Sequence, residues 1–260
     1  MARCFLLASV LVLLVACAPG LQAAYFKAGQ RGALSGQDFS AWTTILGDDV
    51  CNAPEEAPAT QSDVRTTHLG DFSTLEANVQ GRNIQAHNIT YLSAINLDAV
   101  AFRHVYRFRF RVPVVPVKDE PETYSQNLEG SIQLWDGTHA RQDFIVAFSW
   151  VLNPFANPGT VQTWQAENDR GRWVNVGFLP LDTAWHQAEL VLDPRRAQAE
   201  VRIDGQGFPA KFARTARPQD WSSFTDSRVT IEGSSAWVCE GGQGVLMREE
   251  FKDWEWVWEP

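Results

Sequence analysis

The stretch Ala184 to Gly205, AWHQAELVLDPRRAQAEVRIDG, constrains the fold most, because it reads as two strands joined by a tight polar turn. His186, Ala188, Leu190 and Leu192 alternate with Trp185, Gln187, Glu189 and Val191, the period of two expected when one strand face is buried. Asp193-Pro194-Arg195-Arg196 makes the turn, and the period resumes with Val201 and Ile203 against Glu200, Arg202 and Asp204. Asp204-Gly205 ends the second strand.

The same period recurs along the chain. Phe102, His104, Tyr106, Phe108 and Phe110 alternate with Arg103, Val105, Arg107, Arg109 and Arg111. Further strands are expected at 74–79, 89–95, 131–135, 143–152, 161–166, 173–179, 228–232, 236–239 and 246–258, with short ones at 24–28 and 39–46. Turn signals such as Asp136-Gly137 and Asn157-Pro158-Gly159 recur about every ten residues with no helical period between them, the signature of a sandwich or barrel. Gly47 to Gly70 and Gly207 to Ser227 read as loops, and Pro113 to Glu129, with its prolines and carboxylates, as an excursion.

A chain of 260 residues, 45% of them hydrophobic, can build one large core, so residues 24–260 are expected to form a single β-sandwich domain. The net charge of -9 argues against nucleic acid as partner, since phosphate contacts need a basic face. Residues 1–23 read as a signal peptide: Arg3, the apolar run Phe5 to Ala16, then Pro19-Gly20. Alternatively Leu14-Val15-Ala16-Cys17 serves as a lipobox, with Cys17 lipidated. Either route implies a secreted or cell-surface protein that meets the membrane only through a lipid anchor. Cys51 and Cys239 are then the cysteines left to form a disulfide, stabilising by roughly 4 to 5 kcal/mol. Asn88-Ile89-Thr90 is a glycosylation sequon.

The Trp185-His186 opening, the polar turn and the closing Val201-Arg202-Ile203-Asp204-Gly205 together resemble the penultimate hairpin of concanavalin A-like (laminin G-like) β-sandwiches. Phe251-Lys252-Asp253-Trp254-Glu255-Trp256-Val257-Trp258 resembles their last strand, an aromatic and an Asp followed by alternating apolar residues, which pairs beside the first strand. The resemblance implies an all-β, antiparallel jelly-roll sandwich from a superfamily of lectins and glucanases. It also implies an option for structural Ca²⁺ at Asp253, although the roughly six to eight oxygens such an ion needs are not located by sequence.

Arg107, Arg109 and Arg111 share one strand face at about 6.5 to 7 Å per pair of residues. They either receive anionic glycan groups or are neutralised by carboxylates from neighbouring segments. Ser131, Gln133 and Trp135 face away from Ile132 and Leu134, and Trp173 and Asn175 repeat the aromatic-amide combination that stacks on a sugar ring and reads its hydroxyls. The glucanase strand patterns Glu-x-Asp-x-Glu and Glu-x-Asp-x-x-Glu are absent, and Glu249, Asp253 and Glu255 read as a solvated outer face of the last strand. A polysaccharide lyase would combine the Arg face and Gln133 with a His or Tyr, but His104 and Tyr106 point the other way. The sequence therefore reads as a glycan-binding, lectin-like protein. The alternatives are a lyase or, less favoured, a glycosidase acting on acidic chains from the same face, and a structural surface protein without ligand.

Overall fold

The computed structural model describes residues 29–47, 56–82, 84–94, 99–117, 125–135, 144–154, 156–167, 170–214, 226–235 and 246–260. The expected signal segment, Cys17, Cys51, Cys239 and the strands at 24–28 and 236–239 lie outside them. In chain order the strands are β1 (Gly32–Gly36), β2 (Thr43–Leu46), β3 (Val64–His68), β4 (Ser73–Asn78), β5 (His87–Ala94), β6 (Arg103–Arg111), β7 (Ser125–Trp135) and β8 (Phe144–Val151). There follow β9 (Thr160–Glu167), β10 (Arg170–Phe178), β11 (His186–Asp193), β12 (Gln198–Ile203), β13 (Gln206–Phe208), β14 (Ala213–Arg214), β15 (Asp226–Ser235) and β16 (Leu246–Glu259).

They form two 8-stranded sheets. Sheet I runs β13-β12-β11-β6-β16-β4-β3, with β1 also pairing β16; sheet II runs β10-β9-β8-β7-β15-β5-β2, with β14 on β8. The ladders are antiparallel throughout, as expected. The hairpin at 184–205 is β11 and β12, paired from Ala188 with Ile203 to Asp193 with Gln198. Its turn is held by Asp193, whose buried carboxylate accepts from the Arg195 and Arg196 amides at 3.1 and 3.3 Å.

Inward residues of both sheets merge into one core. Ala188, Leu190, Leu192, Val201 and Ile203 face Phe108, Phe110, Phe148 and Trp150, all buried. Each such aromatic or aliphatic side chain contributes about 1.5 to 3 kcal/mol of transfer free energy. Phe110 and Trp150 meet edge-on at 5.7 Å and Trp42 and Trp254 at 5.2 Å, while Phe108 and Phe148 stack at 6.1 Å. Gly130 on β7 permits this packing, since a Cβ there would overlap Phe108.

The last strand departs from expectation in one respect. Register with β6 jumps between Lys252 and Glu255, and Asp253 takes a φ of 51 with its N–H donating to Gln37 O at 2.8 Å. Such a bulge inverts the alternation. Before it Glu249 and Phe251 point inward; after it Trp254, Trp256 and Trp258 do. Glu249 therefore lies in the core, fully buried with neither oxygen hydrogen-bonded among the described residues, and not on an outer face with Asp253 and Glu255. Burial, then the Glu129 charge, raises its pKa well above the ordinary value. Beside this strand lies β1, at residues where no strand is expected from the sequence, with Gly32 and Gly36 opposite Trp258 and Trp254, where a Cβ would overlap the indoles.

Other expectations are corrected as well: the stretch 207–227 holds the end of β13, β14 and the start of β15, and the strand expected at 39–46 begins at Thr43. The stretch 47–70 contains β3, because Val64 packs inward beside Ala77. The excursion ends at Ser125 and not at Glu129, so β7 runs longer than its apolar centre indicates.

Candidate functional site

The two outer faces decide where a ligand can bind. On sheet I, Arg107 donates to Glu189 at 2.7 Å and to Glu255 at 2.9 Å, and Arg111 to Glu250 at 2.6 Å. Arg109 lies 3.7 Å from Asp253. Trp185 lies under this row, with the Arg111 guanidinium and the Lys252 ammonium each 4.6 Å from its ring centre. Neutralisation by cross-strand carboxylates, one of the two readings of the row, is thus its observed arrangement. Burial would lower the Arg107 pKa, but the two glutamates outweigh it and raise it. Asp253 faces Arg109 and Lys252, a cationic setting opposed to holding Ca²⁺ there.

Sheet II is built differently. Leu128, Ile132, Leu134, Val229 and Ile231 turn inward, so their neighbours Asn127, Glu129, Ser131 and Gln133 on β7 and Arg228, Thr230, Glu232 and Ser234 on β15 share the outer face. In register, Glu129 stands opposite Glu232, Ser131 opposite Thr230 and Gln133 opposite Arg228. On the next strand His87 reaches diagonally to Glu232, Nε2 to Oε2 3.2 Å, and Tyr91 stacks under the Arg228 guanidinium at 4.5 Å. Across β8, whose outer face is Ile145, Ala147 and Ser149, come Trp164 of β9 and Trp173 of β10, edge to face at 5.3 Å and packed on Ile145 and Ala147. Gln162 donates to Asn175 at 2.8 Å beside them. This aromatic step lies two strand spacings, about 10 Å, from the carboxyl pair.

Hydrogen bonds give the polar strip a direction. Gln133 Nε2 donates to Ser131 Oγ at 2.9 Å, the Ser131 and Thr230 hydroxyls meet at 2.7 Å, and Thr230 Oγ1 donates to Glu232 Oε1 at 2.6 Å. A hydroxyl has one proton, and Thr230 gives its own to Glu232, so Ser131 donates to Thr230. The chain ends on a carboxylate that must accept, which fits an ionised Glu232. Burial pushes that carboxyl up, but the contact with His87, its charge and the Thr230 bond outweigh it and hold the pKa below the ordinary value. Glu129 goes the other way: burial, then the Glu232 charge, raise it from 4.5 to about 7. Two facing carboxyls thus differ in protonation near neutrality, as like charges a few ångströms apart require.

The sequence-derived site residues therefore do not form one face. Arg107, Arg109 and Arg111 lie outside sheet I, while Gln133, Trp173 and Asn175 lie outside sheet II, so no single ligand touches both groups and a lyase cannot draw on both. Consecutive strands β6 and β7 belong to different sheets. Trp135 ends β7 opposite Asp226, and its side chain lies outside the described residues. His104 and Tyr106 are in the core; the His104 ring bonds Ala99 O at 2.8 Å, and burial lowers its pKa to about 4. Asn88 is fully buried, its amide donating to Arg65 O at 2.9 Å and Glu76 O at 3.0 Å, which leaves the sequon no accessible nitrogen for a glycan. Sequence reasoning missed His87, Glu129, Glu232 and Trp164. Glu129 and Glu232 carry a signal, as polar residues at i, i+2 on strands whose alternate positions are mostly apolar, whereas His87 and Trp164 carry none.

No protein family and no curated protein matches the sequence. Among solved structures, the fold is similar to the CBM2 module of the evolved Dit of Lactobacillus casei BL23 phage J-1, at 11% identity over 88% of this chain and 97% of that one, TM-score 0.52. It is similar to winged bean acidic lectin complexed with methyl-α-D-galactose, at 9% identity over 88% and 99% of the two chains, TM-score 0.51. Basic winged bean lectin with Tn-antigen matches at 12% identity over 88% and 99%, TM-score 0.50. At these identities the likeness is one of architecture, and on that ground the chain has the concanavalin A-like jelly-roll β-sandwich fold.

Proposed function

We propose that this is an exported glycan-binding protein whose ligand lies along the outer face of sheet II. The observation that carries the reading is the Trp164–Trp173 pair, flanked by the Gln162 and Asn175 amides and followed across the sheet by the Gln133–Ser131–Thr230 strip. Indole rings accept the apolar face of a pyranose, while amides and hydroxyls read its polar edge. Two winged bean lectins of the same fold are complexed with methyl-α-D-galactose and with Tn-antigen, which supports a sugar as ligand class.

Titration with neutral and acidic polysaccharides tests it. Binding is expected to weaken about tenfold, the equivalent of about 1.4 kcal/mol, in Trp164→Ala and in Trp173→Ala, and to persist in Arg107→Ala. Binding lost only in Arg107→Ala would move the site to sheet I, and none with any glycan would leave a structural role. Sequencing of the mature N-terminus, expected at Ala24 or a lipidated Cys17, checks export.

One observation favours a second reading. Glu129 and Glu232 hold opposite protonation, with one oxygen of each and a His87 nitrogen all within 4.8 Å of one another. Retaining glycosidases set an acid and a nucleophile about 5 to 5.5 Å apart, inverting ones about 6.5 to 9.5 Å. Oxygens this close leave no room for the water that inversion places between the two carboxyls, which favours retention, with Glu129 as the acid and Glu232 as the nucleophile. Release of reducing ends that disappears in Glu232→Gln would establish it; none from any bound glycan would leave binding alone.

A further inference from the structure

The middle of the sheet II face brings together the atom types that hold divalent metals. A ring nitrogen of His87 on β5, an oxygen of Glu129 on β7 and an oxygen of Glu232 on β15 lie within 4.8 Å of one another. Beside them are two buried hydroxyls. Ser149, 0% exposed, faces Glu129 across the β7–β8 ladder and hydrogen-bonds its carboxyl, while Ser234, 4% exposed, faces His87 across the β5–β15 ladder with no hydrogen-bond partner among the described residues. Leaving a buried hydroxyl unbonded costs about 1 to 3 kcal/mol. A bound ion with its coordinated water would supply the missing partner of Ser234.

We propose that His87, Glu129 and Glu232 ligate one Zn²⁺-class divalent ion, with Ser149 holding the Glu129 carboxylate in place and Ser234 hydrogen-bonding the water bound to the ion. One imidazole and two carboxylates make the three-ligand set that leaves a position for water or a ligand group, whereas Ca²⁺ prefers roughly six to eight oxygens. A tetrahedral ion with bonds of about 2.0 to 2.1 Å holds its ligand atoms about 3.3 Å apart. His87 and Glu232, at 3.2 Å, already have that spacing, and Glu129 must close by a rotamer adjustment. The ion would take the place of the Glu129 proton, so it excludes the glycosidase reading and is independent of where the glycan stacks.

Calorimetric titration of the full chain with Zn²⁺ alone tests this. One site is expected whose affinity falls more than about tenfold in His87→Ala and Glu232→Gln and about tenfold in Ser149→Ala, which keeps all three ligands. Ca²⁺ is expected not to compete. Thermal melting is the second measurement: Zn²⁺ should raise the midpoint of the unaltered protein and leave that of His87→Ala unmoved. Equal Zn²⁺ affinity in the unaltered protein and His87→Ala would place the ion at other residues and overturn the proposal, as would absence of binding or displacement by Ca²⁺. Because no glycan is present, failure here leaves the Trp164–Trp173 reading standing.

Discussion

On the outer face of sheet I, Arg107, Arg109 and Arg111 meet Glu189, Glu250, Asp253 and Glu255 from the strands on either side; on that of sheet II, Glu129 and Glu232 meet each other and His87. Both faces carry titratable groups on their central strands. Only the first matches each charge with an opposite one, so it has little left to offer a ligand. The second places like charges in register, shifts their pKa values apart and leaves the buried Ser234 hydroxyl without a partner among the described residues.

The largest expected effect is a pH dependence that belongs to sheet II. In metal-free protein the Glu129 pKa is raised from 4.5 to about 7, so the folded state holds a proton that the unfolded state releases earlier. Its contribution to stability is fully present below pH 4.5 and is lost as pH rises towards 7, up to about 3 kcal/mol at about 1.4 kcal/mol per pH unit. Urea unfolding at pH 5 and pH 8 should show this slope in the unaltered protein and a shallower one in Glu129→Gln, the remainder belonging to the buried Glu249, whose pKa is also raised; an unchanged slope would mean that Glu129 does not contribute to it.

Next comes Gly171, which lies against the Trp164 indole, so that a Cβ there would overlap the ring. Gly171→Ala should displace Trp164 and weaken glycan binding about tenfold, or about 1.4 kcal/mol, while stability changes little, as read by titration and melting together. On sheet I, Arg107→Met should cost about 1 kcal/mol, because its partners are only partly buried and solvent screens the pairs, and should leave glycan affinity alone. A comparable loss of glycan affinity would erase the contrast between the faces. The smallest effect is salt: between about 0.1 and 1 M the screening length falls from about 10 to 3 Å, and the sheet I pairs should lose a few tenths of a kcal/mol. Arg107→Met should show less of that loss.

Much of the scaffold is legible because alternation is a local property. The β11–β12 hairpin, the inward aromatic face of β6 and the inward tryptophans of β16 follow from period two and the exclusion of large apolar side chains from water. The site is less legible. Glu129 and Glu232 are brought opposite each other by a β7–β15 ladder that no local pattern announces, and β7 extends into a stretch whose prolines and carboxylates resemble a loop. Asn88 shows the same limit, since its sequon is intact while its amide is engaged between sheets.

The sequence by itself determined which residues share a strand face, where most turns fall, and hence an antiparallel sandwich with a core of Phe, Trp and aliphatic side chains. Tertiary structure alone decided which sheet each face belongs to. That choice separates Gln133 from Arg107 by the thickness of the core, unites His87, Glu129 and Glu232, and sends Glu249 inward at the Asp253 bulge. The physical reason is that period two depends on neighbours along the chain, whereas strand pairing, bulges and the matching of charges depend on partners far from it in sequence.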